Sequence, residues 1–402
     1  VNFIVSDSAM TRKGLGKTIV VGLGLTGLSC VRFLMKHNID VMVVDSRENP
    51  PKWHECQKCF PGVELVTGTF DTALLGSCDQ LIISPGVPLS DPAINSAIES
   101  GVRIRGDVDL FRDYISAPLV AITGSNGKST VTRLLGDMAI KAGINVAVGG
   151  NLGKPVLDLL NDDVELYVVE LSSFQLETTD DLSATSAVLL NLSDDHMDRY
   201  PNKKAYYQAK QRVFRHCQNA IVNDEDPLSQ PLVGSNVNII HYGINRPDLN
   251  KYAVIEQAEE RFLAKGFSRL LNIRELKIKG KHNQSNALAA LALGHSVGLD
   301  KKPMLEALQE FQGLPHRCQW VATKNGVEFI NDSKGTNVGA TATALESLGS
   351  ERPEPVRKSI IWIAGGEAKG ADFSPLQAPA ESYVKHLFLL GKDAALMAEA
   401  LG

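Results

Sequence analysis

The sequence predicts an α/β protein built on parallel sheets, and three observations lead there. Apolar, β-rich runs such as "KTIVVGLG", "PLVAITG" and "SIIWIAGG" alternate with helical patterns nearly throughout. Two of these runs end in glycine-rich loops that open helices, as nucleotide-binding strand–helix units do. At 402 residues the chain is too long for one ordinary core, so two to four domains are expected.

The elements follow in order. The first region reads as strand "KTIVVGLG", helix "TGLSCVRFLMKHN", strand "DVMVVDS" and strand "QLIISPG". A helix from about Asp107 leads to the linker-like "ISAP". The second region opens with strand "PLVAITG" and helix "KSTVTRLLGDMAIKAG". Strands "NVAVGG", "ELYVVELSS", "SAVLLNLS", "NAIVND" and "VNIIHYG" follow, then a β-rich stretch through Lys279 and helix "NQSNALAALALGHSVG". The third region, from about Gly313, starts with a hairpin turned at Asn325–Gly326, a strong short-range hairpin signal. Strands "SIIWIAGG" and "HLFLLG" complete it. Domain boundaries are expected near 106 and 313, giving segments 1–106, 107–313 and 314–402.

Composition narrows the function. Hydrophobic residues make up 44% and charged residues 22%, an ordinary globular balance. A net charge of -5 leaves no footprint for nucleic acid, so an anionic substrate needs a local basic site. No apolar run reaches membrane-spanning length, and the first dozen residues lack the pattern of a secretory signal and look like an extension. Cys56 and Cys59 form a lone C-x-x-C with no second pair, which favours two free thiols and a reducing, cytoplasmic setting.

"TGSNGKST" departs from the usual phosphate-loop spelling. Gly127, Lys128 and Ser129 supply the end of the motif, but the first glycine falls at Gly124, two residues late. The chemistry survives: Gly124 and Gly127 let N–H groups of the loop, Asn126 included, turn to phosphate oxygens, and Lys128 can neutralise the β- and γ-phosphates. Ser129 or Thr130 can offer a hydroxyl to Mg²⁺. "GLGLTGLS" fits G-x-G-x-x-G at Gly22, Gly24 and Gly27, and Asp45 follows 23 residues after Gly22. NAD and a UDP-sugar satisfy this geometry equally. "SPGVP", Ser84 to Pro88, ends the fourth strand and reads as a tight turn that could face the same ligand.

Glu170 and His196 each follow an apolar strand, where parallel sheets gather ligands. Taken alone, Glu170 reads equally as a strand-end cap and His196 as a surface histidine among aspartates. Lys210, on the helix "KKAYYQAKQRVF", reads as a solvated lysine unless it is buried beside a metal.

Together "GLGLTGLSC", "SPGVP", "TGSNGKST", "ELSSFQL", "DDHMDRYP", "KHNQSNALAA", "GLPHR" and "NDSKGTN" resemble the Mur ligase family, in family order over nearly the whole chain. "GLGLTGLS" with "ELSSFQL" and "NDSKGTN" is similar to the D-glutamate-adding branch. The resemblance implies three domains: a Rossmann-like UDP-binding domain, a central phosphate-loop ATPase-type domain and a Rossmann-like C-terminal domain. It implies an ATP-dependent ligase that joins UDP-N-acetylmuramoyl-L-alanine to D-glutamate through an acyl phosphate and a tetrahedral intermediate, in peptidoglycan precursor synthesis. A cytoplasmic bacterial monomer, without nucleic-acid partner or membrane insertion, is expected.

Residue roles also come from the resemblance. Leu25, Thr26, Asp45, Ser46, Arg47 and Gly86 match positions around UDP, and Asn151 one near the muramoyl part. Lys128 matches the phosphate-loop lysine. Ser129 and Glu170 match ligands of one Mg²⁺, and His196 a ligand of a second, with Lys210 as a CO₂-derived carbamate. Asn283, Asn286, Arg317 and Asp332 match positions around ATP; Lys334, Thr336 and Lys369 match the D-glutamate side. A site drawing on both the central and C-terminal regions implies a hinge near Gly313. Family members continue some tens of residues beyond "AALMAEALG", with a strand, a helix, a serine and a phenylalanine at the amino-acid site. The expectation is therefore a weakened amino-acid site and thin cover over "SIIWIAGG" and "HLFLLG". Two alternatives stand beside the ligase: an NAD-dependent oxidoreductase, and a nucleotide-binding protein with impaired catalysis.

Overall fold

The computed structural model describes residues 16–151, 153–350, 358–367 and 370–402. These fall into two compact units. The first takes the described residues up to Ser116 with Gly149–Asp162 and Phe174–Leu182; the second takes Ala117–Val148, Asp163–Ser173 and Ser183–Gly402. The C-terminal region, read from sequence as a third domain, is thus grouped with the central one.

In the first unit, β1 (Thr18–Val21), α1 (Leu25–Lys36), β2 (Val41–Asp45), α2 (Trp53–Cys59), β3 (Glu64–Thr67), α3 (Thr72–Gly76), β4 (Gln80–Ile83), α4 (Pro92–Glu99), β5 (Arg103–Arg105) and α5 (Asp107–Arg112) succeed one another. The five strands pair in parallel in the order β3-β2-β1-β4-β5. β1 and β4 are buried along their whole length, which explains their unbroken apolar spelling. Strand order reverses between β1 and β4, opening a crevice at their carboxyl ends. Asp91 caps α4 through the Ala93 N–H, and Pro92 occupies its first turn. The short strands β3 and β5 carry weak apolar signals and escape the sequence reading. All six cysteines are free; Cys56 is buried on α2 and Cys59 exposed, so the C-x-x-C forms no disulfide.

Asp158 joins the later segment to α1: its Oδ1 accepts from Ser29 Oγ and Arg32 Nη1, both at 2.8 Å. Asp107 is 1% exposed at the start of α5 and accepts from Gln175 Nε2 at 3.2 Å. Its Oδ1 meets no donor among the described residues.

The second unit contains β6 (Leu119–Thr123), α6 (Lys128–Lys141), β7 (Val146–Gly150), β8 (Leu166–Glu170), α7 (Ser173–Glu177), β9 (Ser186–Leu189), α8 (Lys203–Gln211), β10 (Asn219–Asn223), β11 (Asn238–Tyr242), β12 (Tyr252–Gln257), β13 (Glu260–Lys265), β14 (Ser268–Asn272), α9 (Lys281–Ser296) and α10 (Lys301–Glu310). β7 and α7 straddle the boundary between the units. The nine strands are ordered β14-β13-β12-β11-β10-β9-β6-β8-β7. β8, β6, β9, β10 and β11 pair in parallel, and β12–β14 form an antiparallel meander at one edge. The meander turns at Ala258–Glu259 with φ of 52 and 63°, a two-residue turn without the glycine that would have marked it in sequence. Val120 and Ile122 of β6 pack with Val131, Leu134 and Leu135 of α6 and with Leu288 and Leu291 of α9 in one core. α9 is buried continuously from Asn286 to Gly294, which is why its apolar residues run without a polar face.

Beyond α10, β15 (Gln319–Lys324) and β16 (Val327–Asn331) form the expected hairpin, with Asn325 and Gly326 at φ of 53 and 76°. Then come α11 (Val338–Ser350), β17 (Ile360–Gly365), α12 (Gln377–Tyr383), β18 (Val384–Leu390) and α13 (Ala394–Leu401). β17 and β18 pair in parallel, and Ile361, Ile363, Phe388 and Leu390 are exposed on one face of the pair.

Burial raises the Asp107 pKa from 3.8 to about 6, against the opposing hydrogen bond from Gln175. The folded chain therefore holds a proton that the unfolded chain has already released, and stability from this group is lost as pH rises through that window. Between about pH 5 and about pH 7.5 the loss is roughly 1.4 kcal/mol. Asp107→Asn removes it, so the melting temperature of the variant relative to wild type should rise between those pH values; a constant difference would contradict the reading.

Candidate active site

Three adjacent strands of the second unit deliver the phosphate-loop region. β6 runs into Gly124–Gly127, β8 ends at Glu170, and β9 leads to Asn191 and on to His196. The loop must turn sharply into α6, and Gly127 does this at φ of 83°. A Cβ there would lie 2.5 Å from Asn286 Oδ1, so Gly127 and Asn286 are in close apposition. Asn191 clasps the loop reciprocally: its Oδ1 accepts from Asn126 N–H at 2.8 Å, and its Nδ2 donates to Asn126 O at 3.0 Å. Ser125 Oγ lies 3.0 Å from Tyr206 OH and accepts from Ser193 N–H at 2.9 Å.

Two lysines converge on the same carbonyl. Lys128 Nζ donates to Gly124 O at 2.7 Å and Ser125 O at 2.9 Å; Lys210 Nζ donates to Gly124 O at 2.9 Å. Lys210 is 2% exposed, and its Nζ stands 5.0 Å from the centre of the Tyr206 ring. Burial, then the charge of Lys128, holds its pKa well below the ordinary lysine value, against Asp195 and Glu170. Burial also lowers the Lys128 pKa, with Arg317 adding to the effect and Glu170 and Asp195 opposing it. Burial lowers the His196 pKa as well, favouring the neutral imidazole that ligates metals, while Asp195 resists. His196 takes φ of 57°, and its N–H donates to Asp195 Oδ1 at 3.0 Å.

The C-terminal region reaches the loop at two points. Arg317 Nη2 donates to Ser129 Oγ at 3.0 Å, although 188 residues separate them. Asn337 Nδ2 donates to Asn126 Oδ1 at 3.1 Å and to Asp195 Oδ2 at 3.4 Å. Asp332 accepts from Cys318 N–H at 2.9 Å, which fixes the backbone beside Arg317. Lys334 and Thr336 are exposed on the segment before α11, and Lys334 N–H donates to His316 O at 3.0 Å. Lys369 lies outside the described residues. Asn283 lies on the first turn of α9 and accepts from Asn286 Nδ2 at 3.2 Å, while Thr130 is buried on α6.

The donor types suit Mg²⁺. Glu170 and the Ser129 and Thr130 hydroxyls are oxygen donors of the kind that hold the ion against phosphates. Among the described residues, no group of three or more His, Cys, Asp or Glu side chains could hold a metal by itself.

The glycine turn of the first unit sits at the β1/β4 crevice. Gly22 has φ of 90°, and its carbonyl accepts from Ser84 Oγ at 2.7 Å, so "SPGVP" flanks the turn. Val87 N–H returns to Ser84 O at 2.9 Å, making the tight turn read from sequence. Leu25 and Thr26 begin α1, and Gly86 lies in the "SPGVP" turn; Asn151 follows β7 within the same unit. Asp45 is 1% exposed and accepts from Leu23 N–H at 2.7 Å, Arg47 N–H at 2.9 Å and the Arg47 guanidinium at 2.6 and 2.8 Å. Burial works to raise its pKa, but these bonds, Arg47 foremost, hold it below the ordinary value. The carboxylate thereby locks the turn and orients Arg47 beside Ser46, a job the motif alone did not reveal.

Asn191, Asp195, Tyr206 and Asn337 were not singled out from sequence. Tyr206 carries a signal, four residues before Lys210 on one helix face, and Asp195 and Asn337 lie within the motifs "DDHMDRYP" and "NDSKGTN".

The motif glycines should separate in mutagenesis. A Cβ on Gly27 would stand 1.9 Å from Gly22 O, whereas one on Gly24 meets nothing within 4 Å. Gly27→Ala should destabilise the protein by roughly 3 kcal/mol or more. Gly24→Ala should leave thermal stability near wild type while weakening binding of a uridine diphosphate. Equal melting of the two variants would contradict this close packing of helix on strand.

Comparison with known proteins gives three family domains in sequence order along the chain. The Mur ligase MurD-like N-terminal domain matches residues 16–106, the Mur ligase middle domain residues 122–294, and the Mur ligase glutamate ligase domain residues 316–402. The chain is 52% identical over 384 residues to the UDP-N-acetylmuramoylalanine–D-glutamate ligase of Pseudomonas savastanoi pv. phaseolicola, covering 96% of this chain and 85% of that one. It is 50% identical over 386 residues to the enzyme of the same name from Marinobacter nauticus, with the same two coverages of 96% and 85%. The fold is similar to that of UDP-N-acetylmuramate-alanine ligase from Thermotoga maritima, with a TM-score of 0.59 and 21% identity over 96% of this chain and 88% of that one. A phosphate loop with its own glycine spacing, three matching domain models and half-identical relatives lead to one conclusion: this chain belongs to the Mur ligase family.

Proposed function

We propose that the protein is an ATP-dependent ligase that forms an amide between the alanyl carboxylate of UDP-N-acetylmuramoyl-L-alanine and the amine of D-glutamate. The observation that carries the reading is the convergence of Lys128, Lys210 and Arg317 with Glu170 and His196 around the phosphate loop. A carboxylate is a poor electrophile, and phosphoryl transfer activates it. One carboxylate oxygen attacks the γ-phosphorus, the bond to the bridging oxygen breaks, and ADP leaves. The amine then attacks the acyl carbon, and the tetrahedral intermediate expels phosphate together with the transferred oxygen.

The chain's part is positioning and charge neutralisation. The Lys128 ammonium and the uncapped N–H groups at the start of α6 hold the β- and γ-phosphates; the Ser125 and Asn126 N–H groups, expected from sequence to share in this, donate to Asn191 instead. Arg317, which donates to Ser129 Oγ, is the candidate to meet charge spreading over the transferred group. Asn283, Asn286 and Asp332 suit hydrogen bonds to the nucleoside. Leu25, Thr26, Asp45, Ser46, Arg47 and Gly86 form the candidate UDP cradle, with Asn151 toward the muramoyl part. Lys334, Thr336 and Lys369 are the candidate contacts for the two carboxylates of D-glutamate.

Ser129 with Glu170, and His196 with Lys210, are the candidate holders of two Mg²⁺ ions. Mg²⁺, when bound, draws negative charge from the phosphate oxygens. Buried beside Lys128, Lys210 favours its neutral amine, the form that adds CO₂ to give a carbamate. A carbamate turns a repelling ammonium into an oxygen ligand. The oxidoreductase alternative leaves the phosphate loop and "NDSKGTN" without a role.

Release of phosphate from ATP should require both substrates, and D-glutamate should appear in an amide product. Removing dissolved CO₂ should slow the reaction, and bicarbonate should restore it. Release that ignores D-glutamate would overturn the ligase reading; indifference to CO₂ would overturn the carbamate alone.

A further inference from the structure

We infer that Asn337 is a positioning residue that ties the amino-acid-binding loop to the phosphate loop, so that both substrates of the second step are held in one register. The inference rests on the ligase reading above and adds a residue to which that reading gives no role. Asn337 closes the segment that carries Lys334 and Thr336, directly before α11.

Its amide is oriented by a local bond. Oδ1 accepts from Ala340 N–H at 2.8 Å, capping α11, and this turns Nδ2 away from the helix. Nδ2 then donates to Asn126 Oδ1 at 3.1 Å and Asp195 Oδ2 at 3.4 Å. Asn126 has little freedom to answer otherwise, because Asn191 holds its backbone from both sides. Asp195 is likewise committed, accepting from the His196 N–H. One side chain thus reaches the tip of the phosphate loop and the neighbour of a candidate metal ligand.

A second contact supports the docking. A Cβ on Gly339 would come 3.0 Å from Ser193 Oγ, so the first turn of α11 lies close against the segment after β9. Asn126 Nδ2 donates to the same Ser193 Oγ at 3.3 Å.

Capping alone does not explain an asparagine. Serine or aspartate would cap α11 equally well. A serine hydroxyl has one hydrogen to donate, whereas the amide joins the cap oxygen to an NH₂ group with two, one each for Asn126 and Asp195; aspartate would face Asp195 with a second carboxylate. The residue type therefore reports the docking function.

The full-length chain should be compared as wild type, Asn337→Ser, Asn337→Asp, Asn126→Ala and the Asn126→Ala/Asn337→Ser double variant. Asn337→Ser keeps the cap, so its melting should fall no further than that of Asn126→Ala, yet it should lose roughly ten- to thirtyfold in kcat/KM for D-glutamate, as two lost hydrogen bonds would give. The double variant should exceed the loss of Asn126→Ala by no more than the remaining bond to Asp195 is worth, short of the product of the two single losses. Asn337→Asp should turn over more slowly than Asn337→Ser. Wild-type kcat/KM in Asn337→Ser, multiplying losses in the double variant, or an aspartate that outperforms serine would each overturn the inference.

Binding separates this inference from the ligase reading. If the wild-type chain formed no amide, Asn337→Ser should still bind adenylyl imidodiphosphate several-fold more weakly than wild type. Unchanged binding would overturn the role of Asn337 whatever the reaction.

Discussion

The left-handed turn at Gly127 is the constraint on which the phosphate-loop region rests. A side chain there would run into Asn286, so only glycine lets the chain leave β6 and enter α6 at this angle. That angle places Lys128 and Ser129 on the first turn of α6, beside Gly124 and within reach of Arg317. The displaced first glycine of the motif fits the same geometry. Gly124 supplies the carbonyl on which Lys128 and Lys210 meet, and its Cβ would press on Leu190 at 3.0 Å.

Around this turn the fold assembles an electrostatic conflict. Lys128, Lys210 and Arg317 crowd one region, and the first two are destabilised as cations by burial and by neighbouring positive charge. Glu170 and Asp195 offset part of that penalty. Such an arrangement is poor for stability alone, since buried charges cost more than surface ones. It becomes favourable when a polyphosphate brings compensating negative charge. Perturbed groups gathered at the carboxyl ends of parallel strands are the mark of a site built for a ligand. The candidate UDP turn works differently: Asp45 spends its lone pairs on Leu23 and Arg47, making a rigid frame of backbone and guanidinium donors.

What the sequence made legible follows from locality. The phosphate loop, the glycine turn, the Asn325–Gly326 hairpin and the buried helix α9 are encoded by contiguous residues with fixed spacing, and each is found where it was expected. Strands β3 and β5 were illegible because they are short and only partly buried, with little apolar spelling. The antiparallel meander lacked a glycine to announce its first turn. Asn191 and Asn337 were hidden for another reason. Their partners lie 65 and 211 residues away, so although Asn337 closes the motif "NDSKGTN", its spacing does not reveal what the side chain meets. Arg317 and Lys210 were named through family resemblance, and the fold then supplies the physical setting, a bond to Ser129 for one and burial for the other.

The central claim is that the converged cations serve transfer of a phosphoryl group onto a substrate carboxylate. The most direct measurement is the fate of oxygen. UDP-N-acetylmuramoyl-L-alanine carrying ¹⁸O in both oxygens of its terminal carboxylate should be turned over with ATP and D-glutamate, and the released phosphate examined by mass spectrometry. One labelled oxygen in each phosphate, with the other kept in the new amide, is the predicted result. Phosphate free of label would mean that the carboxylate is never phosphorylated, and would contradict the account at its centre.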